Sequence, residues 1–202
     1  MSIEGSITAL VTPMNEQGEL DYYSLEKLIN FQIDSGISGL VAVGTTGESA
    51  TIDFEDHIKL IEFFIKISDG RVHIIAGTGA NSTEEALHLT KEAKNLGADA
   101  ALLVSPYYNK PPQEGIYRHH AKIADEVDIP QILYNVPSRT ASFIEPNTVQ
   151  RLSSHQNIIG IKDATGDMKN LTEVLKLCEE DIKSKNFFLY SGDDFTFLDF
   201  LK

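Results

Sequence analysis

A lysine that closes an apolar segment is the residue of this sequence with the clearest chemical potential. Lys162 follows residues 158–161, a β-branched run typical of a strand buried on both faces. A partly dry strand end disfavours the charged ammonium, which lowers the pKa of the amine and makes a neutral nucleophile available. The position therefore predicts Schiff-base formation with a carbonyl compound. A lysine at the solvated end of a strand is the common alternative.

A phenol and a guanidinium follow another apolar run. Tyr134 ends the predicted strand at residues 131–134, and Arg139 comes shortly after it. A phenol can carry a proton, and a guanidinium can bind a carboxylate with two parallel hydrogen bonds. This segment therefore predicts proton transfer and carboxylate binding.

Residues 44–49 combine glycines with hydroxyl side chains, including Thr45 and Thr46. Glycines let backbone amides approach a ligand, and the segment leads to a helix start, which suits a carboxylate or phosphate. A tight turn with Ser49 or Thr51 as a helix cap fits the same residues equally well.

Two adjacent tyrosines, Tyr107 and Tyr108, lie in the proline-rich segment 105–112. Adjacent side chains tend to diverge, so joint packing in the core is the less favoured interpretation. The alternatives are anchors at an interface or carriers of protons.

The histidines show no paired spacing of the kind that binds a metal, so they are interpreted as structural or solvent-facing and no metal is expected. They are His57, His73, His88, His119, His120 and His155.

Predicted strands alternate with predicted helices along the whole chain, which indicates parallel pairing through helical crossovers. Strands are expected at residues 7–12, 39–43, 72–76, 100–104, 131–134, 158–162 and 187–190, and helices at 22–35, 58–65, 82–96, 113–127, 146–152 and 168–178. A doubly wound sheet usually has a glycine-rich turn after its first strand, but residues 12–15 have none. Polar segments follow almost every strand instead, which favours an α/β fold of the (β/α)8 TIM-barrel type as a single domain over residues 1–202.

The composition is that of a soluble globular chain, with 42% hydrophobic and 23% charged residues. A net charge of −13 disfavours nucleic acid and anionic membranes as partners, although a small anionic substrate remains compatible. Cys178 is the only cysteine, residues 1–5 lack the features of a signal peptide, and no apolar run approaches the ~20 residues that span a bilayer. A cytoplasmic location is expected.

Residues 44–49, 134–140 and 160–166 resemble the signatures of the pyruvate-dependent class I aldolases, the family typified by dihydrodipicolinate synthase and N-acetylneuraminate lyase. Residues 105–111 and the pair at 138 and 139 match the synthase branch in particular. The likeness covers the whole chain in order, and it supports the barrel. It also has two departures: Ala141 replaces the usual glycine, and Asp163 replaces the commoner glutamate.

The resemblance implies a lyase that condenses pyruvate with L-aspartate 4-semialdehyde to 4-hydroxy-tetrahydrodipicolinate, in the diaminopimelate route to lysine. Lys162 would form the imine with pyruvate. Tyr134 would be the proton shuttle, relayed through the Thr45 hydroxyl to Tyr108 from a neighbouring subunit. The lysine amine does the work, so no external cofactor is implied.

The same resemblance implies that Thr46 and its loop amides hold the pyruvate carboxylate, and that Arg139 binds the carboxylate of the semialdehyde. It also implies a homo-oligomer, a dimer or tetramer, for the full-length protein. A feedback site for L-lysine would use Ser49, Ala50, Phe54, His57, Asn81, Glu85 and Tyr107. Phe54 stands where lysine-sensitive relatives often have histidine, so we expect weak or absent inhibition.

Two other functions fit part of the pattern. An aldolase acting on a sugar acid would keep Lys162 and Tyr134 without needing the pair at 138 and 139. A catalytically silent barrel with a binding role is the alternative outside enzymes. Since a (β/α)8 barrel typically needs ~250 residues, we expect this chain to stop after about the seventh strand, incomplete at its C-terminal end, with little turnover alone.

Overall fold

The computed structural model describes residues 3–202. Residues 1 and 2, which belong to the N-terminal segment without signal-peptide features, lie outside that range. The strands are β1 (Ile7–Ala9), β2 (Gly39–Ala42), β3 (His73–Gly77), β4 (Ala100–Val104), β5 (Gln131–Asn135), β6 (Ile158–Asp163) and β7 (Phe188–Ser191). The helices are α1 (Tyr22–Asp34), α2 (Phe54–Ser68), α3 (Thr83–Leu96), α4 (Gln113–Glu126), α5 (Pro137–Thr140), α6 (Pro146–Ser153), α7 (Met168–Leu177), α8 (Glu179–Lys183) and α9 (Phe197–Phe200), with a 3-10 turn at Ser49–Thr51.

The strands belong to one sheet and follow chain order from β1 to β7. The registered strand pairs are parallel, as expected for strands joined by helical crossovers. A doubly wound sheet would reverse its strand order at a switch point, and this sheet does not. The predicted α/β class with barrel-type strand order is therefore confirmed, with seven strands in the described part of the chain.

The chain divides into two compact units. The N-terminal unit extends to Thr78 and includes Leu89–Leu102, while the C-terminal unit comprises Gly79–His88 and Leu103–Lys202. The assignment of a single domain to the whole chain stays a prediction.

The core of the N-terminal unit lies between helices α1 and α2 and the strands of this unit. Its buried members include Leu25, Ile29, Leu60, Ile61, Phe64, Leu40 and Ala42. The helical members recur at three- and four-residue spacing, which places them on one face of each helix. Asp21 and Asp53 begin the two helices by accepting backbone hydrogen bonds from Ser24 and Asp56.

The core of the C-terminal unit packs helices α4, α6 and α7 with strands β5 and β6. Buried members include Ile116, Ala124, Leu133, Val149, Leu152, Ile161 and Val174. The Asp167 carboxylate accepts hydrogen bonds from the amides of Lys169 and Asn170, which fixes the start of α7 directly after the lysine strand.

The structure also departs from the predicted elements. The first strand ends at Ala9 and not at residue 12, and residues 137–140 form a short helix where no helix was expected. Pro137 lies in the first turn of that helix, where its missing N–H costs nothing. Ala141 ends it in the left-handed region at a φ of 53°.

No helix among residues 3–202 is long and apolar enough to cross a membrane.

Candidate active site

Lys162 lies near the end of β6, between two strands that place aromatic residues beside it. Its register partners are Tyr134 on β5 and Tyr190 on β7. The Nζ atom of Lys162 lies 4.7 Å from the centroid of the Tyr134 ring, so the amine lies against the face of this ring. Tyr134 itself is only 7% exposed. The structure therefore brings together the predicted nucleophile and the predicted proton carrier.

Burial shifts the Lys162 amine towards its neutral form. The side chain is half-buried, and this burial lowers the pKa of its amine below the ordinary value because the ammonium loses hydration. A lower pKa increases the fraction of free amine near neutral pH, and only the free amine can attack a carbonyl carbon.

Asp163 follows Lys162 directly, but its carboxylate is used to fasten the strand end. One oxygen, Oδ1, accepts hydrogen bonds from the amide of Thr165 at 2.9 Å and from its hydroxyl at 2.6 Å. The other, Oδ2, accepts from the side-chain amide of Asn170 on α7 at 3.0 Å. Successive side chains of a strand point to opposite faces, so these bonds fix β6 from the face opposite Lys162. The short aspartate suits this local arrangement.

Tyr108 and Arg139 lie on exposed segments of the C-terminal unit. Tyr108 is 88% exposed and adopts a φ of 71°, which is uncommon for a residue with a large side chain. Its amide donates to the carbonyl of Thr140 at 3.2 Å. A ring so exposed cannot also be packed with Lys162 and Tyr134. Arg139 is exposed on α5.

The loop at residues 44–49 belongs to the N-terminal unit. Thr45 and Thr46 are exposed, whereas the flanking glycines are buried. The Thr12 hydroxyl donates to the carbonyl of Gly47 at 2.7 Å, which anchors the loop to the segment after β1. The loop is therefore anchored, and both threonines are accessible to solvent.

The interpretation of Ser49 or Thr51 as the cap of the following helix is wrong. Asp53 caps α2, because its Oδ1 accepts from the amide of Asp56 at 2.9 Å. Ser49 and Thr51 are instead the first and last residues of the 3-10 turn. The Thr51 hydroxyl donates to the carbonyl of Glu48 at 3.0 Å.

The residues of the predicted lysine site are distributed over the two units. Ser49, Ala50, Phe54 and His57 belong to the N-terminal unit, and Asn81, Glu85 and Tyr107 to the C-terminal unit. His57 is buried, and its Nε2 lies 2.7 Å from the carbonyl oxygen of Gly77, to which it donates. Burial lowers the pKa of His57, despite an opposing effect of this hydrogen bond, so the ring is held neutral. The lysine site stays a prediction.

Three residues beside Lys162 were not selected as site residues from the sequence. These are Gly160 on β6, Tyr190 on β7 and Gly192, which directly follows β7. The seventh strand was predicted, but strand pairing fixes which of its residues faces the lysine. A pattern of apolar residues carries no such register between distant segments.

The described residues contain no group of three or more His, Cys, Asp or Glu side chains arranged to hold a metal ion.

A desolvated lysine on one parallel strand, next to a phenol on its neighbour, is an arrangement suited to covalent attack on carbonyl substrates. Residues 2–202 match the model of the dihydrodipicolinate synthetase family, and the chain belongs to that family.

Relatives with high identity carry the name 4-hydroxy-tetrahydrodipicolinate synthase. The protein of Alcanivorax borkumensis is 55% identical over 199 residues, which are 98% of this chain and 66% of the relative. The protein of Pseudomonas putida is 58% identical over 192 residues, which are 95% of this chain and 64% of the relative. This chain thus spans about two thirds of the length of these relatives.

Solved structures show the same similarity. Dihydrodipicolinate synthase of Acinetobacter baumannii, solved with pyruvate, has 52% sequence identity and a TM-score of 0.91, covering 96% of this chain and 65% of that one. The synthase of Aquifex aeolicus has 49% identity and a TM-score of 0.90, covering 95% of this chain and 64% of that one.

Proposed function

We propose that this chain carries the Schiff-base centre of a lyase that condenses pyruvate with L-aspartate 4-semialdehyde to 4-hydroxy-tetrahydrodipicolinate. The observation that carries the proposal is the half-buried Lys162 amine, 4.7 Å from the ring of Tyr134 and with a lowered pKa. The shared name of the relatives supports the choice of substrates.

The proposed chemistry begins when the Lys162 amine attacks the ketone carbon of pyruvate. A C–N bond forms and water leaves, which gives a protonated imine that withdraws electrons from the neighbouring methyl group. Loss of one methyl proton gives an enamine. The enamine carbon then forms a C–C bond with the aldehyde, and the amino group of the semialdehyde displaces the lysine as the ring closes.

Tyr134 is the proposed proton carrier closest to the reacting atoms. Its ring lies beside the amine, so its hydroxyl belongs to the same buried region of the C-terminal unit. Thr45 and Tyr108 are the further proton carriers that we propose. The exposure of Tyr108, at 88%, suits a side chain that acts on a neighbouring subunit, and on this basis we propose a homo-oligomer.

Carboxylate recognition is assigned to Thr46 and Arg139. The exposed threonines of residues 44–49 supply hydroxyl donors that suit the pyruvate carboxylate. The exposed guanidinium of Arg139 suits the carboxylate of the semialdehyde. The reaction draws on the lysine amine and needs no external cofactor. We propose a cytoplasmic location, in keeping with a single, buried free cysteine.

A panel of aldehydes tests this function. The protein is incubated with pyruvate and either L-aspartate 4-semialdehyde or a sugar-derived aldehyde, and the condensation products are measured. We expect product with the semialdehyde only, in the small amount expected of this chain alone, and none from Lys162→Ala, because that variant lacks the attacking amine. Lys169→Ala, which removes an exposed lysine on α7, serves as the control.

Product with sugar-derived aldehydes alone would assign the chain to the sugar-acid aldolases. No product with any aldehyde, together with reversible binding of pyruvate, would support the silent barrel with a binding role.

A further inference from the structure

The lysine strand is flanked on both sides by tyrosines at the same level. Tyr134 on β5 and Tyr190 on β7 are both register partners of Lys162. Registered residues of neighbouring strands present their side chains on one face of the sheet. In the proposed chemistry Tyr134 transfers protons, whereas Tyr190 has no role.

Gly160 makes room for the ring of Tyr190. It lies two residues before Lys162, and therefore on the same face of β6. A methyl group added at Gly160 would lie 2.9 Å from Cε2 of Tyr190 and 2.5 Å from the carbonyl oxygen of Phe188. The edge of the Tyr190 ring therefore lies directly over a position that has no side chain.

Gly192 makes room for the stem of Lys162. A methyl group added there would lie 2.8 Å from Cε and 3.1 Å from Cγ of the lysine. The amide of Gly192 donates to the carbonyl of Asp163 at 2.7 Å, which continues the pairing of β6 and β7 past the strand end. The lysine stem therefore crosses towards β7 over a second position without a side chain.

We propose that Tyr190 is a positioning residue for Lys162, its ring over Gly160 forming the β7 side of the slot that holds the lysine stem over Gly192. This inference rests on the proposed imine chemistry. The ring of Tyr190, and not its hydroxyl, has the positioning role, because the ring edge lies over Gly160.

The Lys162 amine would have an aromatic residue on each side, Tyr134 on β5 and Tyr190 on β7. Tyr134 covers one side of the amine at 4.7 Å, and a wall on the β7 side is needed to limit water on the other. Burial is the cause of the lowered pKa of Lys162, so removing a wall should return the amine towards its ordinary behaviour.

The test measures how readily the Lys162 amine reacts as a function of pH. The protein is labelled with trace acetic anhydride across a pH series, and acetylation of the peptide that holds Lys162 is quantified by mass spectrometry. We expect Tyr190→Ala to move the labelling midpoint to higher pH, whereas Tyr190→Phe keeps the ring and should keep the midpoint. Tyr117→Ala, which removes a half-buried ring from α4, is the matched control and should leave it unchanged.

Tyr190→Leu guards against a misfolded alanine variant, because leucine fills part of the space with apolar atoms. It should shift the midpoint in the same direction as alanine. Unchanged midpoints in the alanine or leucine variant, or an equal shift in Tyr190→Phe, would overturn the proposal.

Trapping of pyruvate with borohydride separates this inference from the proposed function. At neutral pH, Tyr190→Ala should trap pyruvate at least about threefold more slowly. A rise of 0.5 in the pKa of Lys162 would lower the fraction of free amine by about this factor. Trapping at Lys162 with unshifted midpoints would overturn the positioning role alone. Shifted midpoints in a protein that never traps pyruvate would overturn the proposed function instead.

Discussion

The reactivity proposed for single residues depends on how each one is hydrated. Lys162 is half-buried and its pKa is lowered, whereas Arg139 stays exposed and Tyr108 is 88% exposed. A nucleophile gains from losing water, because its neutral form does the chemistry, while a guanidinium that binds a mobile carboxylate can do so from solvent. The exposures therefore match the roles proposed for these side chains.

Arg139→Ala should separate the two substrates. We expect the KM for the semialdehyde to rise about tenfold or more, as for loss of a charged hydrogen bond, with little change in imine formation with pyruvate. Steady-state kinetics and borohydride trapping measure the two effects. Arg118→Ala, which removes an exposed arginine paired with Glu114 on α4, is the control. Equal loss of both activities would show that Arg139 acts through the fold.

At the scale of elements, the sequence predicts most helices and strands because apolar periodicity records which face is buried. Helix α1 was expected at residues 22–35 and is observed at Tyr22–Asp34. Helix α5 was missed, because four residues are too few to show a period. Val43 was expected to continue β2, but it has a φ of 51°, which ends the strand before the loop of Thr45 and Thr46. A β-branched residue rarely adopts this conformation, so its sequence gives no sign of it.

The candidate site was predicted from residue types, and its geometry was not. Lys162, Tyr134 and Arg139 stand out because their chemistry is unusual at strand ends. The slot around the lysine depends on the register of β6 with β7 and on missing side chains at Gly160 and Gly192. Register depends on the pairing of the folded strands, which no single segment encodes.

Helix α4 contains a buried histidine pair that should make the protein sensitive to acid. His119 and His120 are 5% and 0% exposed, and neither ring nitrogen of His120 has a hydrogen-bond partner in the described part of the chain. Burial lowers the pKa of His119 from 6.5 to about 4, and that of His120 well below its ordinary value. Both rings are therefore neutral in the folded protein at neutral pH.

The sign of the effect follows from proton binding. Between pH 6.5 and about 4 the unfolded chain binds protons that the folded His119 refuses, so stability falls as the pH falls. The full shift of His119 corresponds to at most about 3 kcal/mol of unfolding free energy. Urea unfolding across this pH range measures it.

His120→Phe provides the decisive variant for this prediction. It should raise the unfolding free energy by roughly 1–3 kcal/mol, because it removes buried polar atoms without partners, and it should reduce the acid sensitivity. His88→Gln, on an exposed position of α3, is the control. An unchanged pH dependence in His120→Phe would show that the acid response arises elsewhere.

At the scale of the whole molecule, a net charge of −13 repels anionic substrates in general. Under the proposed function, capture of pyruvate and of the semialdehyde carboxylate would therefore depend on local donors and cations. Lys162, Arg139 and the hydroxyl-rich segment 44–49 provide such groups. Nucleic acid and anionic membranes remain disfavoured partners on the same electrostatic grounds.

The response to L-lysine tests regulation of the whole protein. We expect weak or absent inhibition, because Phe54 offers no polar group at its 37% exposed position and the His57 ring is bonded to Gly77. Phe54→His should increase inhibition in a titration of turnover against L-lysine. Phe31→His, at another exposed aromatic position, on α1, is the matched control. Tight, cooperative inhibition of the parent protein would contradict this expectation.

Borohydride reduction in the presence of pyruvate tests the central role of Lys162 most directly. Reduction converts an imine into a stable three-carbon adduct, which mass spectrometry locates on a peptide. We predict one adduct, on the peptide that holds Lys162, and its loss in Lys162→Ala but not in Lys169→Ala. An adduct on a different lysine, or no adduct in the folded parent protein, would contradict the account.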